Sequence, residues 1–395
     1  MLGGSMQQVP AIKKAKELGL RTVLIDYLPD NPGQFEADKW YQESTTDVEA
    51  VYRIAKAEQV TGILAYASDP AALPAAIVSE RLGLPTNPAN SVEILGVKHK
   101  FRSFLLENGF ACPKAVAISS EQNLSETLSQ IEPLTFPIVV KPTDSSGSKG
   151  VSFLNDTTAL QEAIDYAKQY SRNKILIIEE YIQRGYPHII GGDIFVVDGK
   201  IAMFGDMECL RDNEGKGLIP IGEKKPNHLN SNQKDQLYTE LQRLITSLNI
   251  RNGELNIEAI IDTNDNPHFL EVGPRAGGNM IPIQLSDAFG IDLIEANIKA
   301  AIGENISLKP IEPNECYMHY VLHSYNDGAF DHIVFSERIS SYIYRKVIYK
   351  QKGDPVERFD GAGKAIGIIF FKFPSPKEME DFCKNHNEYI SIVLA

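Results

Sequence analysis

Apolar positions in residues 1–90 follow two rhythms. Thr22-Val-Leu-Ile25 and Gly62-Ile-Leu-Ala65 are short, continuous apolar runs, as strands buried on both faces require. The stretches 8–18, 47–58 and 71–82 instead carry apolar residues at helical spacing. This alternation predicts a βαβ, Rossmann-like domain with a parallel sheet over 1–92. Leu2-Gly-Gly-Ser5 reads as the end of a first strand turning into a helix, with almost nothing of that strand before it. From 93 the pattern changes. A helix is expected over 93–108, then strands at 136–141, 151–154 and 175–180, with a helix over 158–170. The span 186–307 reads as antiparallel strands, helices over 233–248 and 293–302, and a hairpin. The rest, 308–395, is strand-rich with a helix near 376–385, and its Pro/Asn-rich start at 308–315 suits a linker. The fold class expected is therefore α/β and α+β, divided at 1–92, 93–185, 186–307 and 308–395.

The hairpin carries the most chemistry. Leu255-Asn-Ile-Glu-Ala-Ile-Ile-Asp262 has strand composition, Thr263-Asn-Asp-Asn266 is dense in turn formers, and Pro267-His-Phe-Leu-Glu-Val-Gly273 runs back. If Asp262 pairs with Pro267, Glu258 pairs with Glu271, with Cβ atoms roughly 4.5–5.5 Å apart. Like charges so placed repel unless a cation lies between them. The two-residue period also puts Asn256 on the glutamate face of the first strand, and Gly273 and Arg275 on that of the second. Two carboxylates, an amide and a guanidinium on one face suit a divalent metal and a phosphate; a solvated, charged outer face is the plainer alternative.

Composition narrows the classes. At 395 residues, with 43% hydrophobic and 23% charged, the chain has the make-up of an ordinary soluble protein of two or three domains. A net charge of −13 argues against nucleic acid or an anionic membrane as partner, while leaving room for a local basic pocket. No apolar run approaches the ~18–20 residues of a membrane span, and no signal-peptide pattern opens the chain. Cys112, Cys209, Cys316 and Cys383 lie far apart without metal-type spacing, which fits reduced thiols and a cytoplasmic setting. The histidines form no H-E-x-x-H pattern, so zinc chemistry is not expected.

Further motifs are weaker singly. Pro137-Ile-Val-Val-Lys141 is an apolar strand ending in a lysine, followed by Ser145-Ser-Gly-Ser-Lys-Gly150 and another strand. Small residues let backbone N–H groups converge on phosphate oxygens, so a glycine-rich hairpin flap is expected there rather than a Walker A loop. A plain flexible hairpin is the alternative. Lys174-Ile-Leu-Ile-Ile-Glu-Glu-Tyr-Ile182 is an apolar strand ending in acids and backbone suited to an adenine edge, although many strands end in surface acids. Lys98 and Arg102 stand four residues apart on one helical face, either gripping phosphates or facing solvent. Asp26 ends a strand where a dinucleotide-binding protein places its ribose acid, but Gly3-Gly-Ser-Met-Gln-Gln8 lacks G-x-G-x-x-G.

Taken in order, the basic helix, strand-end lysine, Ser/Gly flap, Glu-Glu-Tyr-Ile segment, paired-glutamate hairpin and Arg275 strongly resemble the ATP-grasp superfamily. The likeness covers essentially the whole chain. The hairpin through Gly-Pro-Arg-Ala-Gly-Gly278 is similar to the carbamoyl phosphate synthetase large subunit, while Gly277-Gly278 and Gly290-Ile-Asp-Leu are closer to the L-amino-acid ligases. The resemblance implies residue roles. Lys98 and Lys141 would contact ATP phosphates under a flap of Ser145, Ser146, Gly147, Ser148 and Gly150. Glu179, Glu180, Tyr181 and Ile182 would frame the adenine. Glu258 and Glu271 would hold Mg²⁺, or Mn²⁺ in substitution, with Asn256 or water completing the shell. Arg275, with Lys141, would stabilise the transferred phosphoryl group. One departure stands out: the family often has asparagine two residues after the second glutamate, where this chain has Gly273. The Arg184–Gly192 connection is also longer than the family's usual one.

The activity so implied is ATP-dependent ligation of a small carboxylate to an amine through an acylphosphate, releasing ADP and phosphate; a homodimer is left open. Phosphoryl transfer needs positioning and charge neutralisation rather than a nucleophilic Ser-His or Cys-His pair, and the candidate residues supply that. Three alternatives stand: bicarbonate activation of the carbamoyl phosphate synthetase or biotin carboxylase type, a nucleotide-binding module without catalysis, and an NAD-dependent enzyme using 1–90. Arg211, Lys216 and His228 are candidate substrate contacts, with ordinary surface residues as the alternative reading.

Overall fold

In the computed structural model the described residues are 1–145, 147–212 and 219–395. Ser146 of the expected flap and Lys216 of the expected substrate loop lie outside them.

The N-terminal part is a reduced version of the expected parallel sheet. Val23–Ile25 pairs in parallel with Lys39–Tyr41, a strand the mixed sequence Lys-Trp-Tyr did not announce. Leu2 joins this sheet through a single parallel bridge to Ile25. The backbone turns away at once through Gly3, at φ +101°, so the ladder has one rung. The expected strand at 62–65 is consequently no strand; it runs extended, with the Leu64 carbonyl accepting the Leu2 N–H at 3.0 Å. The helices form as expected. Val48–Ala57 starts where the Asp47 side chain accepts the N–H groups of Glu49 and Ala50. Asp69–Leu82 ends on Gly83 in the left-handed conformation. Their apolar faces close on Val23, Ile25, Val51, Ile54 and Val78.

The helix expected over 93–108 is two helices, Ala89–Gly96 and Lys98–Glu107, broken at Val97 with φ −121° and ψ 108°. Gly96 and a β-branched residue make the break cheap. Tertiary structure fixes it: the Lys98 N–H, freed from the first helix, donates to Thr143 O at 2.9 Å. Lys98 therefore stands at a helix N-terminus, against the base of the flap.

Residues 115–180 build a four-stranded antiparallel sheet in the order Ala115–Ser119, Ile175–Glu180, Ile138–Pro142, Ser152–Leu154. Its core joins Ile138, Val140, Leu176 and Ile178 to Ile164 of the helix Leu160–Lys168. Neither the first strand, whose apolar run is only the four residues 115–118, nor the helix Leu124–Ile131, whose apolar residues are separated by polar ones, is expected from the sequence pattern.

An eight-stranded sheet forms the rest of the frame, running Pro267–Gly273, Gly253–Ile261, Ile189–Val197, Lys200–Arg211, Pro220–Lys225, Cys316–Leu322, Gly367–Phe373, Ile343–Ile348. Its neighbours are all antiparallel. The helix Ser231–Ser247 covers one face through Leu237, Leu241 and Leu244. Ile281–Phe289 covers the other through Leu285 and Phe289. The C-terminal strands thus extend the same sheet that carries the glutamate hairpin. The helix Pro376–Tyr389 closes them with Met379 and Phe382 against Phe370, Phe371 and Phe373; each buried aromatic contributes about 2–3 kcal/mol. Among the described residues no helix is long and apolar enough to cross a membrane.

Candidate active site

The hairpin sets the register of the site. Asn256 faces Gly273, Ile257 faces Val272 and Glu258 faces Glu271; a bulge follows, and Ala259 then faces Phe269 and Ile261 faces Pro267. The expected Asp262–Pro267 pair is therefore not formed. Asp262 caps the turn instead, its N–H donating to Asn266 O at 3.0 Å and its carboxylate accepting the N–H groups of Asn264 and Asn266. The bulge absorbs the one-residue offset, so the glutamates are paired as expected.

They are not left to repel each other. Lys98 Nζ lies 2.8 Å from Glu271 Oε2, and Arg211 Nη2 lies 3.0 Å from Glu258 Oε2. Lys98 also donates to Ser145 O at 2.8 Å, tying the metal-type carboxylate to the flap. Burial works against the Lys98 charge, but Glu271 more than compensates and raises its pKa. Asn256 donates its Nδ2 to Gly192 O at 3.0 Å and to Asp193 Oδ1 at 2.8 Å, which orients the side chain by its amide nitrogen. Its Oδ1 is the atom suited to a hard cation.

Gly273 occupies the position where the family often has asparagine, and its space is in use. A Cβ there would lie 3.2 Å from Arg275 Cζ. The Arg275 guanidinium lies over the glycine, donating from Nε to Asp69 Oδ1 at 2.6 Å and from Nη1 to Ala276 O at 3.1 Å. Burial opposes its charge, while Asp69 and Glu271 raise its pKa and keep it cationic.

Beneath this layer is a buried charge triad. Lys141 pairs with Glu179 Oε1, while Arg102 Nε donates to Glu179 Oε2 at 3.0 Å. The other Arg102 nitrogens donate to Phe269 O at 3.0 Å and Leu270 O at 2.9 Å, the carbonyls beside the bulge. Arg102 is thus neither a phosphate grip nor a solvated cation; it locks the four-stranded sheet to the hairpin. Burial alone would raise the Glu179 carboxyl, but Arg102 and Lys141 overcome it and hold it down to about 2. Burial pulls the Lys141 ammonium below its usual value, with the Glu179 charge opposing.

Of the residues expected around adenine, Glu179 engages both oxygens in that triad. Glu180 Oε1 accepts the Thr135 N–H at 2.8 Å. Tyr181 donates its N–H to Pro137 O at 2.9 Å and sets its ring edge-on to Phe153. Ile182 packs with Ile189, Cys209 and Ile260 as an apolar floor. The flap is the connection of a true hairpin, with Ile138 opposite Leu154 and Val140 opposite Ser152. Gly147, Ser148 and Gly150 have φ of +67°, +59° and +74°. At Gly150 a Cβ would also lie 3.1 Å from Pro142 and Tyr170, so that position tolerates little else. Of the candidate substrate contacts, Arg211 reaches the site, whereas His228 sits in a separate polar cluster with its Nδ1 2.9 Å from Glu208.

Asp69 and the buried acids behind Asn256 carry no local signal in the sequence. Ser68-Asp69-Pro70 reads as an ordinary helix start, and its partner Arg275 is remote in the chain. Asp193 accepts the Gly277 N–H at 2.8 Å. Burial raises the pKa of Asp193 and of its neighbour Glu254, and the Asp193 charge pushes Glu254 up further. A Cβ on Gly277 would lie 2.7 Å from Asp193 Oδ1, which is why glycine serves there. Asp26, the candidate ribose acid, accepts the Gly4 N–H at 2.7 Å and the Leu28 N–H at 2.8 Å, so its carboxylate is engaged in holding the first turn.

The chain is similar to known proteins. A family model described as the carbamoyl-phosphate synthase L chain, ATP binding domain, matches residues 98–309. The carbamoyl phosphate synthase large chain of Clostridium botulinum is 24% identical over 307 residues, covering 76% of this chain and 27% of that one. The chain spans less than two thirds of the length of the first curated relatives it matches, 61% and 27%. Among solved structures, the L-amino acid ligase from Bacillus licheniformis superposes with a TM-score of 0.83 at 19% identity, covering 100% of this chain and 98% of that one. The phosphoribosylglycinamide synthetase from Anaerococcus prevotii does so with a TM-score of 0.79 at 19% identity, over 100% and 98% of the two chains. At such identity the superpositions speak for the fold, which is that of the ATP-grasp ligases. With the family model spanning the helix that begins at Lys98, the flap, the glutamate hairpin and Arg275, the chain belongs to the carbamoyl-phosphate synthase L chain ATP-binding domain family.

Proposed function

We propose that the chain is an ATP-dependent carboxylate–amine ligase, acting on small molecules in the cytoplasm. The observation that carries this reading is the in-register Glu258–Glu271 pair, ringed by Lys98, Arg211 and Arg275. Hard carboxylate oxygens on a rigid hairpin fit Mg²⁺, or Mn²⁺ in its place, with Asn256 Oδ1 adjoining. The ion, when bound, would neutralise phosphate oxygens.

The chain's own residues would do the rest. Ile182 and the backbone of 180–182 receive the adenine, while Lys141 and Lys98 bind phosphates. Arg275, anchored by Asp69, faces the transferred phosphoryl group. A substrate carboxylate oxygen bonds to the γ-phosphorus as the bond to the ADP oxygen breaks. The amine nitrogen then attacks the acyl carbon, phosphate departs and the amine proton leaves with solvent. The flap excludes water, which would otherwise hydrolyse the acylphosphate. The division at 1–92, 93–185, 186–307 and 308–395 belongs to this proposal, the second and third parts being the two lobes around the nucleotide.

The test is an ADP-release screen with pairs of amino acids, sugar acids and small carboxylates against amines, with product masses by mass spectrometry. Failure of every pair, with nucleotide bound, would overturn the ligase reading. Two further outcomes follow. Amide exchange across 143–152 is expected to slow when ATP and magnesium are added; equal protection in both states would count against flap closure. Gly273→Asn is expected to lower turnover about tenfold or more, because the new side chain displaces the Arg275 guanidinium and misplaced positioning groups cost on that scale. Turnover at the wild-type rate would show that Arg275 has no part in the chemistry.

A further inference from the structure

A cavity of about 620 Å³ opens beside Lys98, Ser145 and Glu271, and Lys141 and Ile182 are not among its lining residues. Its two ends differ in kind. One end is apolar, with Val48, Ala72, Leu73 and Ile77 facing Val92 and Leu95. The other is ionic, but its charges are almost all paired: Glu271 with Lys98, Asp69 with Arg275, and Asp144 with Arg172 at 3.6 Å. Glu93, also in the lining, pairs with Lys100. Lys149, an exposed residue of the flap, also lines the cavity.

We propose that this cavity takes the carboxylic acid substrate, and that the acid has an apolar body about the size of a branched or aromatic amino-acid side chain. This rests on the ligase reading. The volume lies within the usual range for small-molecule sites and far exceeds what bicarbonate fills. A second charged group on the far side of the acid would meet the apolar wall of Leu73, Ile77, Val92 and Leu95 without a partner. The helix Asp69–Leu82 links both ends: Asp69 holds Arg275 at the phosphate end, and Leu73 and Ile77, one and two turns on, build the apolar wall on the same face.

The experiment compares acids in ADP release with a saturating amine: acetate, butyrate, alanine, leucine, phenylalanine, glutamate and a phosphorylated sugar acid. Binding of a non-hydrolysable ATP analogue is measured alongside. Apparent kcat/KM is expected to rise about fourfold per buried methylene up to the size of leucine or phenylalanine. Leu73→Asp is expected to raise KM for leucine-sized acids about tenfold or more with analogue binding unchanged. Leu73→Trp, which keeps an apolar wall, is expected to shift the preference towards smaller acids. Preference for glutamate or the phosphorylated acid, or an unchanged ranking in both Leu73 variants, would overturn the substrate assignment and leave the ligase reading standing. Analogue binding with no ADP release from any acid would overturn both.

Discussion

Glu258→Gln and Glu271→Gln are each expected to lower ATP-dependent ADP release by about 10²–10³-fold, the scale seen when one preorganised electrostatic group is removed from a phosphate or oxyanion site. An amide keeps the shape and hydrogen-bonding reach of the carboxylate but loses the charge that a divalent cation requires. The effect on stability has a sign that the pairing alone would have misjudged. Two facing carboxylates, bare, would repel, and neutralising one would help the fold. Here each already has a cation, Lys98 at 2.8 Å and Arg211 at 3.0 Å. Neutralising Glu271 leaves Lys98 without its acid, so a loss of about 1 kcal/mol is expected rather than a gain. The same cations stand where a divalent ion would approach, so metal loading and release of Lys98 and Arg211 from the carboxylates are one competition. Because Glu271→Gln has lost the charge that holds the cation, raising magnesium should stabilise wild type more than the variant and widen the difference between them. ADP release and urea midpoints, with and without magnesium, measure both effects. Normal turnover in both variants would reduce the hairpin to a charged surface.

What was legible in the sequence was local. The hairpin could be read because strand composition, turn formers and the two-residue period all act within Leu255–Gly273, and the bulge at Glu258/Ala259 happened to restore the register that a one-residue shorter ladder had moved. The flap was legible for the same reason: a strand-end lysine, small residues and a returning strand lie in one stretch. Long-range pairings were not legible. Arg102 looked like half of a surface pair because its helical spacing from Lys98 is all that the sequence shows. Its three acceptors, Glu179, Phe269 and Leu270, are supplied by two other sheets. Asp69 was hidden as a helix-start acid, and Val97 as one more residue in an unbroken helical pattern. The first domain misled through strand counting. An apolar run at 62–65 satisfies strand composition, but Gly3 turns its partner away after one bridge.

Arg102→Ala is expected to be the most damaging single change outside the glutamates, costing about 3–5 kcal/mol of stability, the usual cost of breaking a buried ion pair from one side. It leaves Glu179 with Lys141 alone and strips the Phe269 and Leu270 carbonyls of their donors at the bulge. Arg102→Lys should rescue little, because one ammonium cannot reach three acceptors that the planar fork serves together. The partner acid gives this a pH signature. Its folded pKa, about 2, is depressed, so its contribution is fully present above the unfolded carboxylate value of about 4.3 and is lost as pH falls towards 2. Wild type should lose stability across that window more steeply than Glu179→Gln does. Function should move at the opposite end of the scale. Without the Glu179 charge, burial acts unopposed by its nearest acid on Lys141, already lowered, and the ammonium deprotonates at lower pH. Nucleotide affinity of Glu179→Gln should then decline with rising pH well before that of wild type. Denaturant midpoints from pH 2 to 7 and ATP-analogue binding from pH 7 to 10 read the two arms. A variant that followed wild type in both would mean that the triad neither joins the sheet to the hairpin nor keeps Lys141 charged.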